Sequence, residues 1–325
     1  MSSSPVTLVI SAEGPVLERV LEIAHALSPL GLSRRAFAQF DAAMMRTAWG
    51  RRHQRRFALV KGSDVLASAV QYDLAAVLDE QPVRVCGLGE IFPQTGMATD
   101  APARELVDRL LEQAARDGAT MALRFADTHE APPGDAGVVP MTDVEIAVAE
   151  PSRRGAPMTM IRGGEERDLA AMAAMGRVRA SQSRFYLDRD ADFVQHAITR
   201  RRVLAGLGAP GACELHFFIA EEGITAAAYV VVSVAADVWT IEECGDRDPS
   251  GARVGAMLQA LIARQPVERR PTIRAWLPRG FVPPQVAIVS ATPSSDVMVA
   301  RALGRREALP RLSSDEVLYW RGDIF

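Results

Sequence analysis

Apolar residues recur along the chain with two different periods, which separate predicted helices from predicted strands. A spacing of three to four residues marks amphipathic helices, whereas alternation or a short unbroken apolar run marks strands. In the first part of the chain the predicted order is helix, helix, three strands, helix, strand. These elements lie at 15–30, 32–50, 56–74 (two strands around the turn 61–64), 83–92, 102–118 and 120–126, with a further strand at 138–150.

The same order recurs in the second part, after a strand at 158–163. Its elements are helices at 164–180 and 190–208, three strands within 213–246, a helix at 249–265, a strand at 271–278, a helix at 294–304 and a strand at 316–325. Residues 151–157 are rich in Pro, Gly and Arg, as in a linker. The pattern therefore predicts an α/β (α+β) chain of two similar units, at 1–150 and 151–325.

Composition narrows the functional classes without identifying one. The chain has 325 residues, of which 48% are hydrophobic and 24% charged, with a net charge of −3. That balance is ordinary for a globular protein and argues against a nucleic-acid partner, which usually requires a basic surface. No apolar run reaches 18 residues, so we expect no membrane partner.

The three cysteines give no sign of a metal site or a disulfide framework. Cys86, Cys213 and Cys244 are odd in number and far apart. Cys86 and Cys213 lie in or beside apolar strands, as buried thiols do. We expect no bound metal and a cytoplasmic protein with reduced thiols.

The junction of the third strand, its loop and the next helix is the most informative feature of each half. A helix N-terminus presents free backbone N–H groups and the positive end of the helix dipole, so it can bind a phosphate. Small residues in the loop let the backbone approach that phosphate closely. This arrangement resembles the GNAT family of acyl-CoA-dependent N-acyltransferases, whose strand–loop–helix junction holds coenzyme A.

The tandem layout is similar to that of the enhanced-intracellular-survival-type acetyltransferases and mycothiol synthase. The resemblance implies two tandem domains, each a mixed, mainly antiparallel sheet flanked by helices. It also implies acetyl-CoA, or another acyl-CoA, as co-substrate. In the family the strand backbone aligns the pantetheine arm and the loop amides bind the pyrophosphate.

The resemblance assigns a coenzyme-binding set in each half. In the first half the strand contributes Ile91 and Phe92, and the loop and helix start contribute Ala98, Thr99, Ala101 and Ala103. Both family glycines and the leading arginine are missing from this loop, and Asp100 adds an unfavourable negative charge. In the second half the corresponding residues are Ser250, Gly251, Ala252, Arg253 and Gly255. The loop residues favour the second half as the coenzyme site, whereas in the survival-type enzymes the first half usually binds acetyl-CoA. Both alternatives stay open.

The family's reaction is direct, with an amine attacking the thioester while a base takes its proton and a tyrosine protonates the thiolate. The segments 127–131 and 277–281, at the ends of the predicted strands 120–126 and 271–278, contain no tyrosine. Glu90 and Glu242 end their third strands and are candidate bases; strand alternation points one of Glu242 and Glu243 inward, as a base or an arginine partner. His129 is a loop candidate, and the resemblance suggests the terminal carboxylate of Phe325. Each also has a plain structural interpretation, as a solvated residue or a docked terminus.

Two functional hypotheses follow from the sequence. The first is an acyl-CoA-dependent N-acyltransferase, with acetyl-CoA as donor and a small-molecule amine as acceptor. The alternative is a catalytically degenerate GNAT scaffold that binds a ligand or a partner. The oligomeric state, including a homo-oligomer, is left open.

Overall fold

The computed structural model describes residues 6–27, 30–93, 101–127, 137–150, 160–278, 280–304 and 309–323. We call the part up to residue 150 the first half and the part from residue 160 the second half. The helices and strands of the first half are β1 (Thr7–Ser11), α1 (Gly14–Leu27), α2 (Arg34–Arg46), α3 (Ala48–His53), β2 (Gln54–Lys61), β3 (Asp64–Leu78), β4 (Gln81–Pro93), α4 (Ala101–Arg116), β5 (Met121–Asp127) and β6 (Gly137–Val148).

The second half repeats much of this order. Its elements are β7 (Met160–Gly163), α5 (Leu169–Ala180), β8 (Phe185–Leu187), α6 (Ala191–Leu207), β9 (Glu214–Glu222), β10 (Thr225–Ala235), β11 (Val238–Asp246), α7 (Ala252–Ile262), β12 (Thr272–Ala275), β13 (Val286–Ala302) and β14 (Val317–Leu318). The chain thus has a mixed α/β fold. No helix within the described ranges is long and apolar enough to cross a membrane.

The strands form one mixed sheet in the order β1-β2-β3-β4-β5-β13-β6-β12-β11-β10-β9-β7, with β8 and β14 attached at the side of β3. The two halves of this sheet mirror each other in their pairing. β4 runs parallel to β5, and β11 runs parallel to β12. The strands β2, β3 and β4 pair antiparallel in succession, as do β9, β10 and β11.

The centre of the sheet is made by exchange of strands between the halves. β13 of the second half pairs antiparallel with β5 of the first, and β6 of the first half pairs antiparallel with β12 of the second. β6 and β13 also pair with each other. The boundary that the sequence predicts near residue 150 therefore follows a strand that is paired mainly with the other half.

Helices cover both faces of the sheet. On one face, α4 buries Leu106 and Leu110 against β3 and β4, and α7 buries Met257 and Leu258 against β10 and β11. On the other face α1, α2 and α3 cover the first half, and α5 and α6 cover the second. Contacts of α6 with α2 and α3 join the helices of the two halves on this face.

The sequence pattern predicted most elements but misjudged the end of the chain. The segment 294–304, predicted as a helix, lies largely in the strand β13. The physical reason is that this strand lies in the middle of the sheet, between β5 and β6, where both of its faces are covered. Val297, Met298, Val299 and Ala300 are therefore all buried. A continuous apolar run of this kind has no strand period. The predicted strand 316–325 is reduced to two residues of β14, followed by a turn at Arg321–Asp323.

Candidate active site

The strands β4 and β5 diverge in the first half. Their parallel pairing extends only from Val85–Met121 to Gly87–Leu123, although β4 continues to Pro93 and β5 to Asp127. Past Gly87, β4 stays paired with β3 on its other edge. The edge that faces β5 therefore offers backbone groups that the ladder does not use, and such groups need another partner.

A β-bulge lies in the same stretch of β4. The pairing with β3 shifts between Gly89 and Phe92, and Glu90 has a φ of 46°, in the left-handed region. That conformation is costly for a residue with a side chain, and strained positions of this type cluster at functional sites. The bulge turns the Glu90 carboxylate towards α2 and β2.

The half-buried Glu90 belongs to a charge cluster with the buried side chains of Arg56 and Asp41. Nη2 of Arg56 donates to Oε2 of Glu90 at 2.7 Å and to Oδ1 of Asp41 at 2.6 Å. Burial lowers the pKa of Arg56, but the two carboxylates outweigh it and hold the pKa above its usual range. Nε and Nη1 of Arg56 are buried without a hydrogen-bond partner within the described ranges. Arg56 thus stays charged and fixes the Glu90 side chain.

Aromatic rings from both halves gather on this face of the sheet. Trp49 of α3 stacks on Tyr72 of β3, with ring centroids 6.2 Å apart, and lies 4.9 Å from Phe193 of α6. Tyr319, near the end of the chain, lies 4.5 Å from Phe125 of β5. Tyr72 is directly opposite Gly87, the last residue of β4 that pairs with β5.

Burial sets the protonation of these groups. It raises the pKa of Tyr72 above its ordinary value, and raises that of Tyr319 well above it. It lowers the pKa of His196 to about 4, with Arg200 contributing in the same direction. The imidazole of His196 lies on Trp49, with centroids 4.7 Å apart, and its Nδ1 is 2.8 Å from Oγ1 of Thr47. At neutral pH both phenols are protonated and the imidazole is neutral.

The second half has a similar divergence, but its own chain fills it. Pairing of β11 with β12 stops at Ile241–Ala275, while β11 continues to Asp246. The turn Arg321–Asp323 packs on this part of β11, and a Cβ at Gly322 would lie 3.6 Å from the carbonyl oxygen of Glu242. The turn therefore lies in contact with β11 in the stretch where that strand no longer pairs with β12.

The carboxylates of Glu242 and Glu243 are both buried, so the alternation prediction fails. The reason is a bulge, because the pairing of β11 with β10 shifts between Ile241 and Glu243. Arg189 donates to both oxygens of Glu243, at 2.9 and 2.6 Å, and Oε1 of Glu242 accepts from Ser233 at 2.6 Å. Both carboxylates are held in structural contacts.

An internal carboxylate occupies the start of α7. The side chain of Asp246 is fully buried, and its Oδ2 accepts from the backbone N–H groups of Arg253 at 2.8 Å and Val254 at 3.3 Å. Its Oδ1 accepts from the N–H of Asp248 at 2.8 Å. Asp246 therefore takes the amides that a phosphate would need.

The predicted coenzyme residues around α7 serve packing and local pairing. A Cβ would lie 2.6 Å from Phe281 if placed on Gly251, and 1.9 Å from Gln285 if placed on Gly255. Ser250 donates its N–H to Asp248, and the Arg253 guanidinium pairs with Asp246 and Glu222. Ala252 is the first residue of the helix. These contacts argue against a coenzyme site here.

The first-half residues lie on elements that flank the divergence. Ala101 and Ala103 form the first turn of α4, with Ala101 exposed. In β4, Ile91 packs towards α4 and Phe92 packs against α2. Ala98, Thr99, His129 and Phe325 lie outside the described residues.

Sequence reasoning missed Arg56, Asp41, Tyr72 and Trp49. A signal was present for Arg56, because it occupies an inward position of the alternating strand β2, between Gln54 and Ala58. A charge at such a position requires a buried partner. Nothing in one sequence says that the partner lies on β4. Among the described residues, no cluster of three or more His, Cys, Asp or Glu side chains could hold a metal ion.

Comparison with solved structures identifies the fold. The chain is similar to a probable N-acyltransferase from Enterococcus faecalis V583 (TM-score 0.63, 10% identity, covering 92% of this chain and 73% of that one). It is also similar to a GCN5-related N-acetyltransferase from Kribbella flavida (TM-score 0.61, 14% identity, 92% and 71%). Eis1 from Mycobacterium abscessus is a third neighbour (TM-score 0.56, 14% identity, 91% and 73%). No protein-family model and no curated protein matches the sequence. The chain thus shares the GCN5-related N-acetyltransferase fold with these solved structures.

Proposed function

We propose that this protein is an acyl-CoA-dependent N-acyltransferase that takes acetyl-CoA as donor and a small-molecule amine as acceptor. The observation that carries the proposal is the contrast between the two divergent strand pairs. In the first half β4 and β5 part beside a strained, half-buried carboxylate, Glu90. In the second half the turn Arg321–Asp323 packs on β11 where that strand has parted from β12.

The coenzyme is assigned to the first half. The backbone of Ile91 and Phe92 lies on the unpaired stretch of β4 and would align the pantetheine arm. The first turn of α4, with Ala101 and Ala103, would bind the pyrophosphate through its N–H groups. Ala98 and Thr99 precede that turn and complete the proposed set.

Glu90 is the proposed base. The amine nitrogen attacks the thioester carbonyl, and the carboxylate takes the proton that the nitrogen loses as the new amide forms. Collapse of the tetrahedral intermediate breaks the carbon–sulfur bond and expels the thiolate of coenzyme A. Tyr72, a buried and protonated phenol opposite Gly87, is proposed to protonate it. His129 and Phe325 stay alternative candidates for the base.

The second half is proposed to act as a scaffold. Asp246 at the start of α7 supports this, because a buried carboxylate repels a pyrophosphate and occupies its donors. The degenerate-scaffold alternative therefore applies to this half, while the first half keeps the transferase assignment. A cytoplasmic location and the absence of nucleic-acid and membrane partners belong to the same proposal, with homo-oligomerisation left open.

The proposal is tested by titrating the protein with acetyl-CoA in a calorimeter and following thiol release with a panel of small amines. We expect one coenzyme site per chain and thiol release that depends on the amine. An absence of binding by acetyl-CoA and by longer acyl-CoAs would overturn the proposal.

A further inference from the structure

The helix α7 is too short to cover the strands beneath it. It has 11 residues and α4, its counterpart in the first half, has 16. At 1.5 Å per residue these helices measure about 16 and about 24 Å, whereas a nine-residue strand such as β11 extends for about 30 Å. The sheet of the second half is therefore left open beyond the C-terminal end of α7.

A cavity of about 190 Å³ lies in this uncovered part of the sheet. Its walls combine side chains from β9, β10 and β11 with the residues that end α7. Those used below are His216, Phe218, Val234, Trp239, Arg264 and Gln265. We call this cavity the β9–β11 bowl.

Most of the bowl's wall is apolar or aromatic. The rings of His216 and Phe218 stack with centroids 5.8 Å apart and planes inclined by 15°, and Trp239 adds a half-buried indole. Val234 is half-buried beside them. A dry cavity of about 150 Å³ accommodates benzene, so this volume suits one six-membered ring with a small substituent.

The edge of the bowl at the end of α7 carries a positive charge. Arg264 is exposed and forms no ion pair with any residue that the structure describes. Gln265 lies next to it with an amide that can donate. On the β9 side, the exposed carboxylate of Glu214 lies 3.2 Å from Nε2 of His216, a contact that is an ion pair only when the imidazole is protonated. Arg264 is thus the cation that the α7 side of the bowl offers to a ligand, and a guanidinium suits a carboxylate.

We infer that the β9–β11 bowl binds a small planar aromatic carboxylate. The ring lies against Trp239 and the stacked pair of His216 and Phe218, and the carboxylate meets Arg264 and Gln265. The bowl lies at the end of α7 away from Asp246 and in the half that the proposed function leaves without coenzyme. It is therefore a second binding site, independent of acyl transfer.

The inference is tested with 2-fluorobenzoate as the probe, followed by its ¹⁹F line width as full-length protein is added. We expect the wild-type protein to broaden the line. The substitution Arg264→Gln should weaken the affinity by about tenfold, the effect of losing one charge-assisted hydrogen bond. Arg269→Gln removes another exposed arginine, outside the bowl, and is the matched control that should bind as wild type.

Two further measurements distinguish the contribution of the Arg264 charge from that of the cavity that holds the ring. The neutral analogue 2-fluorobenzamide should bind wild type and Arg264→Gln equally. Val234→Phe fills the bowl and should abolish binding of both probes, and Trp239→Leu is the second variant if Val234→Phe melts early. The inference would be overturned by a line that wild-type protein leaves unbroadened at about 10 mM probe, about ten times a dissociation constant of about 1 mM. Equal affinities for Arg264→Gln and Arg269→Gln would also overturn it. Acetyl-CoA binding by the same variants should be unchanged, so this test is separate from that of the transferase.

Discussion

Glu90 lies in a strand with a left-handed backbone conformation, which glycine adopts at a lower energetic cost. The strain is maintained by the paired Arg56 and by the β3–β4 ladder on either side. A carboxylate fixed by a buried arginine keeps its orientation, and a general base must first lie within reach of the proton that it removes. The contacts with neighbouring residues thus make Glu90 a candidate for the general base.

The substitution Glu90→Gln tests this role. It keeps the shape and one acceptor oxygen for Arg56 but removes the proton acceptor, so we expect kcat to fall by about 10²- to 10⁴-fold. The dissociation constant of acetyl-CoA should stay within about threefold, measured by calorimetry. The matched comparison is Glu242→Gln, at the bulge of the second half: a larger loss of turnover there than in Glu90→Gln would contradict the assignment.

Tyr72 is tested by Tyr72→Phe, which removes only the phenolic oxygen. If the phenol protonates the thiolate, kcat should fall by about 10²-fold while the KM for the amine changes little. The pH profile of kcat provides the readout that a packing defect would not give. Tyr319→Phe, at the other buried phenol of the cluster, is the control; an equal loss in both variants would point to packing.

His196 makes stability depend on pH. Its folded pKa of about 4 lies below the ordinary value of 6.5, so between these values the unfolded chain binds a proton that the folded chain does not. The contribution is fully present above about pH 6.5 and is lost as pH falls towards 4, with a limit of about 3 kcal/mol. Asp323 acts in the opposite sense, because burial raises its pKa.

The comparison of wild type with His196→Gln separates the two effects. Glutamine can keep the contact with Thr47 but does not titrate. Urea unfolding between pH 4 and 8 should show a free-energy difference that rises with pH up to about 6.5 and then stays level. A difference that stays level over the whole range would rule out the buried neutral imidazole.

At the scale of elements, the two helix starts predict where acetyl-CoA binds. Ala101 and Ala252 are the first residues of α4 and α7. An aspartate at either position favours the helix dipole, so folding should be retained. Ala101→Asp places a negative charge beside the proposed pyrophosphate site and should weaken acetyl-CoA by about 5- to 30-fold. Ala252→Asp should leave the calorimetric affinity unchanged; the reverse result would assign the coenzyme to the second half.

Most elements could be predicted from sequence because each buries one face and so has a clear period. The amphipathic α4 and the β2–β3 hairpin are examples. β13 could not, since it is covered on both faces and its neighbours come from residues 121–127 and 137–148. Such long-range pairing leaves no local trace in one sequence.

The candidate site could likewise be predicted only where local sequence patterns indicate it. The strand–loop–helix junctions follow from local pattern, and Glu90 follows from being polar in an apolar strand. The filling of the second half depends on contacts of Asp246 and the turn Arg321–Asp323 that arise only in the folded chain. Gly251 and Gly255 are packed closely against Phe281 and Gln285, a reason for glycine at these positions that one sequence does not reveal.

At the scale of the whole molecule, strand exchange makes the two halves depend on each other. Without β13 the strand β5 loses its antiparallel neighbour, and without β6 the strand β12 loses its own. Unpaired strand edges in a sheet centre are costly and prone to aggregation. We therefore predict that residues 1–150 and 151–325 do not form stable separate units.

A protease site placed in the segment 151–157 tests this prediction on the folded protein. After cleavage the two fragments should elute together and melt in one transition, because the sheet remains intact. Each fragment expressed alone should lack a cooperative transition by circular dichroism. Separation of the fragments into two folded species would contradict it. The control is uncleaved protein with the same insertion.

The exchanged strands also affect how the protein is made on the ribosome. β5, which borders the proposed coenzyme opening, pairs with residues 296–302, more than 160 positions later in the chain. A nascent chain can complete the first half only after nearly the whole sequence has emerged, and contacts of such high sequence separation form slowly. Premature termination anywhere before β13 should then yield a product without an assembled site, so translation itself delays any activity until the last strands are synthesised.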